Sequence, residues 1–89
     1  MNEKKVDSDG LNEIIHGLIY SVQAKAKNTK YDEPLFSSGL LDSFAVIEII
    51  AKLEQRFNIV INTNSIEITQ LDSIMKIREL VVGLKKDDQ

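Results

Sequence analysis

One serine in this chain stands where esterification by a phosphate would be favoured. Ser43 follows Gly39-Leu40-Leu41-Asp42 and precedes Phe44 and a long apolar run with helical spacing. That pattern puts its hydroxyl where a glycine-containing loop enters a helix. Such a position is accessible, and the helix N-terminus adds free N–H groups and partial positive charge. A phosphate ester formed there is electrostatically favoured. Asp42 is a supporting candidate, able to bind a metal or a basic partner during modification. Taken alone, Asp-Ser ahead of an apolar run is also what an ordinary helix cap looks like. The dipeptide recurs at Asp7-Ser8 and at Asp72-Ser73, and the latter also opens a helical pattern. Only the surrounding elements can choose among the three.

The spacing of apolar residues predicts those elements. Leu11, Ile14, Ile15, Leu18, Ile19 and Val22 share one face of a first helix from about Leu11 to Lys27, with Asp9 as its cap and Asn28 as its stop. A long connection follows from Asn28 to Asp42 and contains Pro34, Ser37, Ser38 and Gly39. Leu35, Phe36, Leu40 and Leu41 lie inside it and would pin it to the core. A second helix is predicted from Ser43 to Phe57, with Val46, Ile49, Ile50, Leu53 and Phe57 as its buried stripe and Asn58 closing it in a left-handed conformation. A short third helix is expected near Asn64, where Glu67 three residues on resembles a capping box. A last helix is predicted from Asp72, its cap, to Leu84. The β-branched stretch from Asn58 to Ile68 leaves a hairpin as the alternative. The fold class read from this order is all-α: a four-helix bundle with a long first loop. Residues 1–9 are expected as a flexible leader, 10–85 as the domain and 86–89 as a flexible tail.

Bulk composition narrows the functional classes. The chain has 89 residues, enough for one domain with a modest core and little room for a deep catalytic cleft. A net charge of -3 argues against nucleic acid as the main ligand. Charge is also segregated: Ile14 to Tyr31 carries only Lys25, Lys27 and Lys30, whereas Asp32 to Ala51 carries only Asp32, Glu33, Asp42 and Glu48. The acidic middle would suit a basic partner, or is simply a solvated loop. The sequence has no Cys, so the chain supplies no thiol of its own and fits a reducing, cytoplasmic setting. No apolar run approaches the length of a bilayer span.

The stretch Leu35-Phe36-Ser37-Ser38-Gly39-Leu40-Leu41-Asp42-Ser43-Phe44 resembles the phosphopantetheine attachment motif of the acyl carrier protein family. The similarity continues through Ile47-Glu48-Ile49-Ile50 and Leu53-Glu54-Gln55-Arg56-Phe57-Asn58-Ile59, and the order of elements agrees from about residue 11 to 84. The Gly-Leu-Leu-Asp-Ser form is especially similar to stand-alone carriers, among them D-alanyl carrier proteins and discrete carriers of polyketide or peptide pathways.

The resemblance implies that Ser43 accepts 4′-phosphopantetheine from coenzyme A, by the action of a separate phosphopantetheinyl transferase. The arm's thiol would hold acyl or aminoacyl groups as thioesters, which fits a chain without Cys. A loading ligase and downstream acyltransferases or synthases would be its partners, in fatty acid, polyketide or nonribosomal peptide biosynthesis. The protein would be a cytoplasmic monomer and not an enzyme, with no metal and no membrane insertion. On the second helix Phe44, Ile47 and Ala51 fall off the buried stripe with Glu48 and Glu54 beside them, a candidate docking surface. Two features depart from the family pattern: Lys52 and Arg56 offset the helix's acids, and Phe44 replaces the usual Leu. The alternative is a helical protein–protein interaction module in which Asp42-Ser43 is merely a cap. A small enzyme fits poorly, because no acid–base or nucleophile constellation is visible. His16 reads as a surface residue, Tyr20 and Tyr31 as edge packing, and Met75 as core filler or rim.

Overall fold

In the computed structural model the backbone is described for residues 3–87 and side chains for residues 10–85. The elements are α1 (Glu3–Val22), a 3₁₀ turn (Ala24–Asn28), α2 (Ser43–Phe57), a second 3₁₀ turn (Ile68–Leu71) and α3 (Ile74–Asp87). The fold is all-helical, and no strand occurs among the described residues. The hairpin alternative at Asn58–Ile68 is therefore not taken. Among the described residues the expected four-helix bundle is corrected to three α-helices with two 3₁₀ turns. The short helix expected at Asn64 is a 3₁₀ turn that starts at Ile68. Its start is tied by Gln70 Oε1, which accepts from Glu67 N–H at 2.9 Å, so the box lies three residues later than the one read at Asn64.

Each helix forms where its apolar stripe meets the others. Ile15 and Ile19 of α1, Ile49 and Leu53 of α2, and Ile74, Ile77 and Val81 of α3 are fully buried against one another. Leu35, Leu41, Ile59, Ile61 and Leu71 fill the gaps from the connections. Branched aliphatic side chains without Trp make this core possible in so short a chain, because they interdigitate with little rotamer loss.

The ends of α1 differ from expectation. It begins at Glu3, which puts Asp9 inside the helix and removes it as a cap. Residues 3–9 are helical, and the expected leader and tail otherwise fall on residues outside the described side chains. At its other end α1 stops at Val22, and Gln23 in extended conformation starts the 3₁₀ turn, its Oε1 accepting from Lys25 N–H at 3.1 Å. His16 is half-buried: its Nε2 hydrogen-bonds Ala26 O at 2.8 Å and its ring meets Tyr31 edge-on at 6.4 Å. It fastens the turn back onto α1 and is not a plain surface residue.

Helix α2 has the predicted limits. Asn58, at φ 57° and ψ 50°, ends it in the left-handed region, with its N–H bonded to Glu54 O. Lys85 Nζ donates to Phe57 O at 3.2 Å, placing a cation at the negative end of α2.

Candidate functional site

The segment leading to Ser43 is built from a loop tightened at both ends. Leu35 and Leu41 are buried, and Leu41 N–H donates to Leu35 O at 2.9 Å, which closes the segment between them. Inside it Gly39 N–H donates to Phe36 O at 3.0 Å, and Gly39 takes φ 86°, a left-handed conformation that suits glycine. Ser38 Oγ donates to Pro34 O at 2.8 Å, a local side-chain bond that replaces a missing ladder.

Asp42 then caps α2. It is extended, at φ -105° and ψ -176°, and its Oδ1 accepts from Ala45 N–H at 2.9 Å. Ser43 is the first helical residue. Its side chain is exposed, and no hydrogen bond engages its hydroxyl among the described residues. The N–H groups of Ser43 and Phe44 likewise find no acceptor there, since the cap serves Ala45 and Val46. A free hydroxyl beside two unpaired donors at a positive helix end fits a phosphodiester.

Geometry separates the two Asp-Ser pairs whose side chains are described. Ser73 is 6% exposed and its Oγ accepts from Lys76 N–H at 3.1 Å, so it is the cap of α3. Ser8 lies outside the described side chains. Ser43 alone of the two described is open to solvent.

That arrangement corrects the role read for Asp72. It does not cap α3. Its Oδ1 accepts three consecutive backbone N–H groups, from Leu35 at 3.1 Å, Phe36 at 2.7 Å and Ser37 at 3.1 Å, and its Oδ2 accepts from Ser37 Oγ at 2.8 Å. The backbone adds Leu35 N–H to Asp72 O at 2.8 Å and Met75 N–H to Tyr31 O at 3.0 Å. Partial burial works against the charge on Asp72, but the donors from Phe36, Ser37 and Leu35 outweigh it and hold the carboxyl below the usual carboxylate range. Sequence spacing does not reveal this clamp, because its partners lie far from Asp72 in the chain and all but the Ser37 hydroxyl are backbone groups.

Of the candidate docking residues, Phe44 is 81% and Ile47 69% exposed, and Glu48 and Ala51 are also exposed. Glu54 departs from the group. It is half-buried, and its Oε2 accepts from Ile61 N–H at 2.8 Å, which commits it to the segment after α2. Val60, 80% exposed, is a further apolar residue near the end of α2 that helical periodicity could not mark. No cluster of three or more His, Cys, Asp or Glu able to hold a metal occurs among the described residues.

The fold and site define a class: a small helical domain presenting one serine hydroxyl at a capped helix start. The family model described as "Phosphopantetheine attachment site" matches residues 22–81, more than half of the chain. The chain belongs to that family and is a carrier protein of the acyl carrier protein type, built to bear 4′-phosphopantetheine. Among curated proteins it is similar to a D-alanyl carrier protein of Streptococcus suis (strain 05ZYH33), 53% identical over 30 residues. That match spans 34% of this chain and 38% of the relative's length.

Proposed function

We propose that Ser43 is the residue that bears the arm, and that the protein carries acyl or aminoacyl groups between enzymes as thioesters. The observation that carries this reading is the exposed, unengaged hydroxyl at the start of α2, inside the segment matched by the family. When attached, the arm supplies a thiol able to form thioesters. The chain's own residues do the rest. Asp42 fixes the first turn of α2 through Ala45 N–H, so Ser43 points from a rigid element. The helix end stabilises the negative phosphodiester. The clamped loop keeps the hydroxyl in one place for the transferase that esterifies it.

The partners of this reading are a phosphopantetheinyl transferase, a loading ligase and a downstream acyltransferase or synthase, acting in the cytoplasm. Phe44, Ile47 and Ala51, with Glu48 at their rim, form the surface offered to them. Aminoacyl cargo, D-alanine in the first instance, is favoured by the likeness to a D-alanyl carrier protein.

Intact-mass measurement after incubation with coenzyme A and a broad-specificity transferase tests the reading. The wild-type chain gains one arm and Ser43→Ala gains none; no gain, or a gain that survives the substitution, overturns it. Subsequent incubation with a D-alanine-activating ligase and ATP tests the cargo, since failure to load D-alanine while another amino acid or acyl group loads would refute that part alone.

A further inference from the structure

A carboxylate that could have capped α3 is spent elsewhere. Ser73 caps α3, and both oxygens of Asp72 are turned to the loop, gathering Leu35, Phe36 and Ser37 onto the junction before that helix. Beyond Ser37 the chain has only Ser38 to Asp42 before the attachment serine. That short stretch is closed by Leu41 N–H on Leu35 O and by the buried Leu41 side chain. The start of the stretch is therefore fixed by Asp72 and its end by the cap of α2. We infer that Asp72 is a positioning residue for Ser43, holding the loop from α3 so that the hydroxyl is presented in a single orientation.

The inference rests on the Ser43 reading. Its physical basis is that bonds from N–H groups to a charged carboxylate are roughly twice as strong as neutral ones. Three of them converge on one atom, which leaves residues 35–37 little freedom. Without them, the loop's closure would depend on Leu35 and Leu41 burial and on local turn bonds. A mobile presentation of the nucleophilic oxygen weakens productive encounters with a transferase even when the domain stays folded.

The test uses the wild-type chain with Asp72→Ala, Asp72→Asn and Ser43→Ala, at a temperature where circular dichroism shows each variant folded. Steady-state transferase kinetics gives KM and kcat for the carrier, and amide relaxation gives the mobility of residues 38–42. Asp72→Ala raises KM about tenfold with kcat nearly unchanged, the signature of lost binding common to ground and transition states. Residues 38–42 become mobile in it while α2 stays rigid. Asp72→Asn, which keeps an oxygen for the three N–H groups but not the charge, recovers part of the loss. A protein merely less stable, yet folded, would keep the wild-type KM. Folded Asp72→Ala with KM within twofold of wild type, or with residues 38–42 as rigid as before, overturns the positioning role. If Asp72→Ala does not fold, Ser37→Ala decides by the same two readouts, with KM rising about threefold as expected for one lost hydrogen bond. A wild-type chain that is not modified at all refutes the Ser43 reading, and the positioning role with it; a modified wild type with insensitive variants refutes the positioning role alone.

Discussion

Ser43 and Asp42 divide the work at the start of α2. Asp42 pairs one oxygen with Ala45 N–H, and Ser43 spends none of its hydroxyl on the fold. Removing each side chain therefore has opposite signatures. Asp42→Ala lowers stability by about 1 kcal/mol through the lost cap, read as a lower midpoint in thermal unfolding. Ser43→Ala leaves that midpoint within the narrow range usual for surface changes yet abolishes arm attachment. Asp72 brings a pH dependence. Its carboxyl titrates lower in the folded chain than the ordinary carboxylate value of an unfolded one. The stabilisation is thus fully present above that value and is lost as pH falls through the folded pKa. Denaturant unfolding from pH 6 down to pH 2 should show an acid-side loss of stability that is shallower in Asp72→Asn; an unchanged slope contradicts the clamp's charge.

At the scale of elements, α2 has a buried apolar face and an exposed one. Leu53 is fully buried, whereas Phe44 and Ile47 are largely exposed on the same helix. Leu53→Ala should cost about 2–5 kcal/mol by cavity formation. Phe44→Ala and Ile47→Ala should leave the unfolding midpoint nearly unchanged but weaken transfer to or from partner enzymes, measured as a higher KM for the holo-carrier. In α1, Asn12 is buried at 7% exposure and its Oδ1 has no partner among the described residues. An unsatisfied buried acceptor costs about 1–3 kcal/mol, so Asn12→Leu should raise the melting temperature; a lower one would show that the amide is engaged.

The whole molecule shows which parts of a fold are written locally. Helix α2 was legible from Ser43 to Asn58 because an apolar stripe, a preceding Asp and an αL-tolerant Asn coincide in one stretch. The exposed position of Ser43 at the start of that helix was legible for the same reason. The ends of α1 were not, because Gly10 and the polar residues before it obscure a helix that the described structure carries back to Glu3. The second 3₁₀ turn was misplaced by three residues because Asn64 and Glu67 mimic a box that Glu67 and Gln70 form. The clamp at Asp72, the His16 tie to Ala26 and the Glu54 tie to Ile61 were invisible. Each joins a side chain to a backbone group of another segment, and backbone partners leave no trace in residue types.

The most direct measurement is fragmentation mass spectrometry of the protein after reaction with coenzyme A and a transferase, mapped to single residues. The account predicts one phosphopantetheine, on Ser43. An arm found on Ser8, Ser37 or Ser73, or no arm on any serine, would contradict it.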